Sequence, residues 1–322
     1  MRVAILDDYQ SAIATLACYQ KLASHEVRIF NDTVKDWSAL ADRIGNAEAL
    51  VLTRERTQVG EPLLAKLANL RMISQTGKNA PHIDLEACTR RGIVVSGGGG
   101  LGHATAELTW GLIFASLRNI PKEVAGLKAG RWQSTIGVGV HGNTLGIFGF
   151  GRLGSQVARV GKAFGMRVMV WGRDGSQARA REEGFEIAAG KEALFAESDV
   201  LSVHLLLQPA SRGIIAGADF ARMKPTALFV NTSRAGLVER GSLESALQAG
   251  RPGFAAVDVY DEEPVLGGNH PLLKMENVIA TPHLGYVERA GYENFFNAAF
   301  DQINAFAAGA PINVMNPDVL KR

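Results

Sequence analysis

Each of three short hydrophobic segments in the second half of the chain is followed by a residue that can bind an anion or take part in proton transfer. The segment ALFVNTS ends before Arg234, FAAVDVY is followed by Glu263, and NVIATP ends before His283. Arginine binds a carboxylate through two parallel hydrogen bonds. Histidine titrates near neutral pH, and a neighbouring carboxylate can orient it and favour its protonated form. Each residue alone also fits a solvated loop or a structural hydrogen bond, but all three together predict an anion-binding arginine and an acid–base pair.

A glycine-rich motif precedes these segments. Gly149-Phe150-Gly151-Arg152-Leu153-Gly154 follows the hydrophobic run TLGIF and leads into a helical pattern. In such a motif the first glycine allows a tight turn, the second lets the backbone approach a pyrophosphate, and the third lets helix and strand pack closely. The helix N-terminus adds unpaired N–H groups that favour an anion. The strand–turn–helix context predicts a dinucleotide site rather than a glycine-rich turn without a ligand.

The next strand departs from the usual dinucleotide pattern. An acidic residue about 20 residues after the glycines commonly binds the adenosine ribose. Here Gly172 stands at that place and Arg173 follows it. A guanidinium without the carboxylate suits a 2′-phosphate, which predicts that NADP is tolerated beside NAD. The alternative is that Arg173 stacks over adenine or faces solvent while Asp174 takes the ribose.

Hydrophobic runs alternate with amphipathic stretches along the whole chain, which is typical of βαβ units over parallel sheets. The runs are apolar on successive residues, as expected for strands covered by helices on both faces. We therefore predict an α/β protein with two doubly wound, Rossmann-like domains. The predicted strands are Val3–Leu6, Val27–Phe30, Ala49–Thr53, Leu70–Gln75, Ile93–Ser96, Thr144–Gly149, Arg167–Trp171, Val200–Leu206, Leu228–Thr232, Phe254–Tyr260 and Val278–Thr281.

The segments between the strands carry two further predictions. Ser11–Leu22 and Thr105–Leu117 have helical patterns. The run Gly97–Gly100 is the most flexible composition in the sequence and suits a hinge or a domain boundary.

Composition excludes several classes of protein. Thirty-four basic and 32 acidic side chains give a net charge of +2, which offers no electrostatic basis for binding nucleic acid or an anionic membrane. Cys18 and Cys88 form no paired zinc motif, and the histidines show no ligand spacing, so no metal is predicted. No apolar run reaches the ~18 residues of a membrane span, and Asp7 and Asp8 interrupt the first apolar stretch before it could act as a secretory signal. A cytoplasmic protein is the expectation.

The motifs GFGRLG, NTSRAGLVE, DVYDEEP and TPHLG together resemble those of the D-isomer-specific 2-hydroxyacid dehydrogenases. That family includes phosphoglycerate dehydrogenases and glyoxylate/hydroxypyruvate reductases. The resemblance implies hydride transfer between NAD(P)(H) and C2 of a D-2-hydroxy acid or 2-oxo acid, possible substrates being 3-phosphoglycerate-like. It implies that Arg234 binds the substrate carboxylate and carbonyl, that His283 is the acid/base, and that Glu263 pairs with His283. The alternative is a dinucleotide-sensing, corepressor-like binding protein without physiological turnover.

The same resemblance implies further contacts, a domain arrangement and an assembly. It implies a flavodoxin-like, discontinuous substrate domain of residues 1–100 and 286–322, with a helix over Tyr286–Ala308, and a dinucleotide-binding domain of residues 101–285. It implies a homodimer joined through the cofactor domain, near the apolar helix around Trp110. The implied cofactor contacts are Thr105, Gly149, Phe150, Gly151, Arg152, Leu153, Gly154, Gly172, Arg173, His204, Thr232, Asp258 and Gly285. The implied substrate contacts are Arg54, Thr76, Gly77 and Lys78, where the loop Thr-Gly-Lys-Asn departs from the family's common Val-Gly-x-Asp. The alternative for Arg54 is a surface ion pair with Glu55 or Glu61.

Overall fold

The computed structural model describes residues 1–321, which form two compact α/β units. Unit 1 consists of residues 1–101 and the chain from residue 288 onward, and unit 2 consists of residues 102–287. Unit 1 is therefore discontinuous in sequence, because the chain leaves it after its fifth strand and returns to it as a long C-terminal helix.

In its described part, up to residue 321, unit 1 is built on five strands and four α-helices. Its last helix begins at Arg289, where the Glu288 carboxylate accepts hydrogen bonds from the first-turn amides of Ala290 and Gly291. The strands are β1 Arg2–Ile5, β2 Glu26–Ile29, β3 Ala49–Leu52, β4 Met72–Thr76 and β5 Val94–Gly98. The helices are α1 Trp37–Ile44, α2 Glu61–Leu64, α3 Leu85–Arg90 and α11 Arg289–Ala307.

Unit 2 contains seven strands and seven α-helices. Within the described chain, no helix is both long and apolar enough to span a membrane. The strands are β6 Thr144–Phe148, β7 Arg167–Trp171, β8 Glu186–Ile187, β9 Val200–Val203, β10 Leu228–Asn231, β11 Phe254–Val257 and β12 Val278–Ala280. The helices are α4 Ala104–Leu117, α5 Ile120–Lys128, α6 Arg152–Ala163, α7 Asp174–Glu182, α8 Lys191–Glu197, α9 Gly217–Phe220 and α10 Ser242–Gln248.

Both sheets are parallel, and their strand orders are those of two doubly wound folds. Unit 1 has the order β2-β1-β3-β4-β5, which is flavodoxin-like. Unit 2 has the order β8-β7-β6-β9-β10-β11-β12, which is the Rossmann order with one strand added. The predicted fold class is thus confirmed. In unit 2 the strand order reverses between β6 and β9, and ligands of such sheets bind outside the carboxyl ends of the strands at this point.

The side chains of the apolar strands of unit 2 pack into two hydrophobic cores. On β10, Leu228 and Val230 belong to one core and Phe229 to the other. On β6, Ile147 likewise belongs to the first core and Phe148 to the second. Successive side chains of a strand point to opposite faces, so a strand covered on both sides is apolar at most of its positions. This explains why six of the seven unit 2 strands, all except β8, are recognisable in the sequence.

The predicted helix over Ser11–Leu22 is wrong. The segment instead forms two short 3₁₀ helices, Ile13–Thr15 and Ala17–Leu22, separated by an extended Leu16. Carboxylates from other parts of unit 1 hold the amides at the start of each piece. The Asp8 carboxylate accepts from the amides of Ala12 and Ile13, and the Glu293 carboxylate accepts from those of Ala17 and Cys18. These contacts stabilise a broken path that the helical pattern does not reveal.

The glycine run after β5 is tightly packed against its own unit. A Cβ at Gly97 would lie 2.6 Å from the Met315 sulfur and 2.8 Å from the Gly77 carbonyl oxygen. Gly99 has a φ of +84°, and a Cβ there would lie 3.0 Å from the Phe295 Cα. The Gly100 amide also donates to Asn294 Oδ1. These glycines permit close approach of β5, the Gly77 loop and α11, which is a different use from that of a loose linker.

Candidate active site

The glycine motif of unit 2 forms a turn that requires glycine at its first and last positions. Gly149 has a φ of +100°, and a Cβ there would lie 2.8 Å from the His204 carbonyl oxygen. A Cβ at Gly154 would lie 2.1 Å from the Gly149 carbonyl oxygen, because α6 starts directly against the turn. Both positions therefore exclude any larger residue.

The middle glycine faces open space. A Cβ at Gly151 would meet no atom within 4 Å, and no side chain caps the helix that begins at Arg152. The first amides of a helix lack intrahelical partners and carry the positive end of the helix dipole. A bare backbone, an uncapped helix N-terminus and the switch point of the sheet together fit the pyrophosphate of a dinucleotide.

His204 follows β9 on the other side of the switch point. Its Nε2 lies 2.9 Å from Ser202 Oγ, whereas its Nδ1 is buried without a hydrogen-bond partner among the described residues. Burial lowers the pKa of His204 to about 4, so the ring is neutral at physiological pH. A buried ring nitrogen with unused hydrogen-bonding capacity beside the glycine turn fits a ligand that binds at this edge of the sheet.

The end of β7 contacts the glycine turn. A Cβ at Gly172 would lie 3.5 Å from the Gly149 Cα and 3.4 Å from the Ser176 Cβ, which are ordinary contact distances. Arg173 is exposed, and its guanidinium has no hydrogen-bond or ion-pair partner within residues 1–321. Arg179, which lies on the following helix α7, donates to the Phe150 carbonyl oxygen at 2.9 Å.

Arg234 lies three residues beyond β10 in a turn organised by Asn231. The Asn231 side-chain Nδ2 donates to the Arg234 carbonyl oxygen at 3.0 Å, and its Oδ1 accepts from the Ser233 backbone amide at 3.0 Å. The Arg234 guanidinium donates to the Ser233 carbonyl oxygen at 2.7 Å. The side chain is partly exposed, so it remains accessible to a small anion.

The structure brings the predicted histidine and glutamate together. His283 Nδ1 lies 2.6 Å from Glu263 Oε2, and both side chains are partly exposed, at 22% and 32%. The other carboxylate oxygen, Oε1, accepts from the Tyr260 amide at 2.9 Å. An ionised carboxylate can only accept hydrogen bonds, so the shared proton belongs to Nδ1 and the Nε2 atom is left for other chemistry.

The turn that carries His283 is strained and is held by Asp258. His283 has a φ of +52°, in the left-handed region that residues with a Cβ seldom adopt. The buried Asp258 carboxylate accepts from Thr281 Oγ1 at 2.6 Å, the Leu284 amide at 2.7 Å and the Gly285 amide at 2.8 Å. Burial raises the pKa of Asp258, and these three donors oppose that effect. Asp258 thus closes the turn on both sides of His283.

Two threonine contacts tie the start of unit 2 to this edge. Thr105 Oγ1 donates to the Gly285 carbonyl oxygen at 2.6 Å. The hydroxyls of Thr109 and Thr232 lie 2.8 Å apart in the interior. Both contacts place α4 against the ends of β10 and β12, so the predicted residues Thr105, Thr232 and Gly285 belong to one packed region.

The predicted substrate residues of unit 1 follow β3 and β4. Arg54 has a φ of +55°, and its Nη1 donates to the Thr76 carbonyl oxygen at 3.1 Å while its guanidinium lies 5.1 Å from the centre of the Phe295 ring. The Gly77 amide donates to the Gly98 carbonyl oxygen at 2.6 Å. Lys78 is exposed at the tip of this loop. The sequence allowed a surface ion pair between Arg54 and Glu61. Glu61 instead forms ion pairs with Arg90 and Arg91.

Sequence reasoning missed two aromatic residues beside the acid–base pair. The Tyr286 ring packs edge-on against the His283 ring, with 5.3 Å between centres. The Tyr260 hydroxyl donates to the Thr281 carbonyl oxygen at 3.0 Å, while its amide binds Glu263. Their closeness in sequence to DVYDEEP and TPHLG was the available signal. Among residues 1–321 there is no cluster of three or more potential metal ligands.

Known proteins share this sequence and architecture. Residues 110–285 match the family model of the D-isomer specific 2-hydroxyacid dehydrogenase NAD binding domain. The chain is 37% identical to a glyoxylate reductase of Aeropyrum pernix over 88% of each chain. It is also 37% identical to a D-3-phosphoglycerate dehydrogenase of Methanocaldococcus jannaschii over 81% of this chain but only 49% of that protein. The chain thus spans about half the length of that dehydrogenase.

A solved structure agrees with these matches. A phosphoglycerate oxidoreductase from Vibrio cholerae superimposes with a TM-score of 0.94 at 49% identity, covering 96% of this chain and 100% of that one. The matched domain binds NAD in this family, and the glycine turn, the uncapped α6 and the Rossmann sheet of unit 2 fit that cofactor. The chain belongs to the D-isomer specific 2-hydroxyacid dehydrogenases, the NAD-dependent oxidoreductases of 2-hydroxy acids.

Proposed function

We propose that Arg234, Glu263 and His283 carry out the reaction of this dehydrogenase. The observation that carries the proposal is the 2.6 Å contact between His283 Nδ1 and Glu263 Oε2 at the carboxyl edge of the unit 2 sheet. Arg234 follows β10 at the same edge, two strands from β12, which precedes His283. An acid–base pair and a bidentate anion binder are the groups that reduction of a 2-oxo acid requires.

Each residue has a separate task. When bound, the nicotinamide cofactor supplies or accepts the hydride at C2 of the substrate. Arg234 binds the substrate carboxylate and polarises the carbonyl oxygen. In reduction, His283 gives its Nε2 proton to that oxygen, and in oxidation it takes the proton back. Glu263 holds Nδ1 and stabilises the positive ring. Asp258 keeps the strained His283 turn closed, so that Nε2 has a fixed position.

A turnover assay with NADH and NADPH against a panel of 2-oxo acids tests the proposal. The panel should contain glyoxylate, hydroxypyruvate, pyruvate and 3-phosphohydroxypyruvate. We expect the D-2-hydroxy acid as product of at least one of them. Tight binding of the dinucleotide without turnover of any member would contradict the proposed enzyme and leave a dinucleotide-binding protein.

We further propose that NADPH is accepted at least comparably to NADH. Gly172 offers no carboxylate to repel a 2′-phosphate, and the unpartnered, exposed Arg173 is next to it. Gly172→Asp should tilt the preference strongly to NADH, because a Cβ fits there without a clash. Arg173→Ala should weaken use of NADPH and spare NADH. A wild-type preference for NADH above ~100-fold, about 2.7 kcal/mol, would contradict the proposal.

We propose that Arg54 and the loop of Thr76, Gly77 and Lys78 bind the substrate away from the reacting carbon. The backbone of this loop would receive the carboxylate at its exposed tip, at Lys78, because the Gly77 amide is already bound to the Gly98 carbonyl oxygen. The Arg54 cation would favour an anionic or polar tail, as in 3-phosphohydroxypyruvate. Support comes from the way Thr76 and Phe295 fix the guanidinium.

Steady-state kinetics of Arg54→Ala test this contact. With 3-phosphohydroxypyruvate as the substrate, the variant should show a KM raised by about tenfold, the cost of one charge-assisted contact. With glyoxylate as the substrate, which has no tail, KM should stay within about twofold of the wild type. An unchanged KM with both acids would contradict this contact.

We propose that the protein forms a homodimer through unit 2. The predicted place for it, near Trp110, is wrong, because Trp110 is only 7% exposed and packs in the core of unit 2. The neighbouring helix α5 offers the exposed apolar side chains instead. Ile120, Val124 and Leu127 are spaced along one face of α5 and are 46%, 48% and 59% exposed. In the extended segment after this helix, Trp132 is 77% and Ile136 98% exposed. Several exposed apolar side chains close together in sequence favour an interface, and a second copy offers the same side chains about a two-fold axis.

Sedimentation or light scattering tests the assembly. The double variant Leu127→Glu with Ile136→Glu should be a monomer, because it buries two charges in the interface. The control is Leu320→Glu. Leu320 is 52% exposed but belongs to unit 1, so it is not part of the proposed unit 2 interface. A wild-type protein that stays monomeric at micromolar concentration would contradict the dimer.

A further inference from the structure

The carboxyl edge of the unit 1 sheet contains a fully buried glutamine that lies outside the sites described above. Gln75 is the penultimate residue of β4, with 0% exposure. Its Nε2 donates to the Arg54 carbonyl oxygen at 3.0 Å and to the Thr76 carbonyl oxygen at 3.1 Å, with the Asn79 carbonyl oxygen at 3.5 Å. One side-chain amide therefore joins the loop after β3 to the loop after β4.

The Arg54 backbone is held from both sides by these neighbours. Its amide donates to Thr76 Oγ1 at 2.7 Å, and its carbonyl oxygen accepts from Gln75. Thr76 Oγ1 itself donates to the Leu52 carbonyl oxygen at 2.9 Å. A residue with a Cβ at a φ of +55° lies in an unfavourable region unless its surroundings fix it. Two consecutive side chains of β4 supply that fixation.

His82 determines which way the Gln75 amide faces. Its Nε2 lies 3.2 Å from Gln75 Oε1, and its Nδ1 is buried without a partner within residues 1–321. Because Oε1 can only accept, His82 must carry its proton on Nε2. Burial lowers the pKa of His82 to about 4, which keeps the ring in this neutral form. If the amide were reversed, its oxygen would face two carbonyl oxygens and its NH₂ would face an N–H group.

We propose that Gln75 and His82 are positioning residues for substrate binding: Gln75 fixes the Arg54 backbone and the Thr76 carbonyl, and His82 fixes the orientation of the Gln75 amide. The inference rests on the proposed contact between substrate and Arg54. Neither residue touches the substrate in this scheme. Their loss should therefore change how well the substrate is held and leave the acid–base chemistry of unit 2 intact.

Steady-state kinetics of two variants, with 3-phosphohydroxypyruvate as the substrate, test the inference. Gln75→Met keeps the side-chain length and removes the hydrogen bonds of the amide, including those to the Arg54 and Thr76 carbonyl oxygens. His82→Leu removes the donor that orients the amide. Each should raise the substrate KM by about tenfold, with kcat within about threefold and the KM of NADH within about twofold. His82→Gln keeps an N–H donor and should restore most of the loss. The matched control is His25→Leu, which should leave every KM unchanged. His25 is a half-buried histidine of unit 1 that precedes β2 and binds Asn304.

A double-mutant cycle separates this role from a purely structural one. If Gln75 acts through Arg54, Gln75→Met should raise the KM by less than about twofold in an Arg54→Ala background. Equal effects in both backgrounds would overturn the inference, as would unchanged KM in both single variants. If Gln75→Met does not fold, the contrast between His82→Leu and His82→Gln decides in the same way. An unaffected Arg54→Ala enzyme would instead contradict the proposed substrate contact, so the two failures are distinguishable.

Discussion

Both sheets carry polar residues at the carboxyl ends of their strands, but they hold those residues by different means. In unit 2 a side chain binds a side chain, as Glu263 does His283 at 2.6 Å. In unit 1 a buried neutral amide binds main-chain carbonyl groups, as Gln75 does those of Arg54 and Thr76. A carboxylate beside an imidazole changes the charge that the imidazole carries, whereas an amide on a carbonyl group changes only where that group lies. Changes in unit 2 should therefore alter kcat and its pH dependence, and changes in unit 1 should alter KM.

The largest effect is expected from removing the imidazole. His283→Ala should lower kcat by roughly 10²–10⁴-fold, which is the usual contribution of a positioned general acid or base. The KM of NADH should stay within about twofold. His141→Ala, a change of an exposed histidine in the same unit, is the control and should keep full activity. A variant of His283 with more than a tenth of the wild-type kcat would exclude it as the acid–base group.

The next largest effect is expected at the anion binder. Arg234→Lys keeps the charge but loses the planar pair of donors, so it should lower kcat/KM by about 100-fold while NADH binding barely changes. Measured dissociation of NADH separates the two effects. Nearly full activity of Arg234→Lys would mean that another cation holds the substrate.

A smaller effect, with a defined sign, is expected at the carboxylate partner. In the proposed mechanism His283 gives a proton to the substrate during reduction, so the rate of reduction should fall as the pH rises. Glu263→Gln removes the negative charge that stabilises the imidazolium, and the alkaline limb of the reductive profile should move to lower pH. The loss of kcat should be about tenfold, less than for His283→Ala. An upward movement, or an unchanged profile, would show that Glu263 and His283 are not coupled.

The last effect is expected from the buried histidine of unit 1, and it concerns stability rather than turnover. Burial is the main cause of the low pKa of His82, with Arg54 adding to it and Glu55 opposing it. The folded ring stays neutral to about pH 4, whereas the unfolded ring gains a proton below its ordinary value of 6.5. Its contribution to stability is therefore complete above pH 6.5 and is lost as the pH falls towards 4.

Urea unfolding at pH 7 and pH 5 measures this contribution. The wild type should lose on the order of 2 kcal/mol between these values through His82. The His82→Leu variant should lose that much less over the same interval. Parallel losses in the two proteins would show that His82 does not remain neutral in the folded state.

The same contrast explains what the sequence could and could not predict. The strands of unit 2 are apolar on both faces, and their ends carry glycine, arginine, glutamate and histidine motifs with known chemistry, so fold and family followed from the pattern. The two-residue strand β8 is too short to produce a pattern. The broken path of residues 13–22 depends on Asp8 and on Glu293, which is distant in sequence.

The buried glutamine was missed for a physical reason. Gln75 lies in a predicted strand, and nothing in QTGKNAPH shows that its amide joins a carbonyl 21 residues earlier to a histidine seven residues later. Every residue has a main-chain carbonyl oxygen, so a side chain that donates to the main chain does not require any particular residue type at the accepting position. Such contacts become visible only when the backbone is folded.

The glycines around the cofactor turn also differ in how freely they can change during evolution. Every glycine codon becomes an aspartate or glutamate codon by a single base change. At Gly149 and Gly154 the resulting Cβ would lie 2.8 Å and 2.1 Å from backbone oxygens, so such mutants would be eliminated. At Gly172 the nearest atom would be 3.4 Å away, so the fold would tolerate the new carboxylate. If Gly172 and Arg173 admit NADPH as proposed, a lineage carrying this enzyme could change its dinucleotide preference in one mutational step, with selection on redox supply rather than on folding.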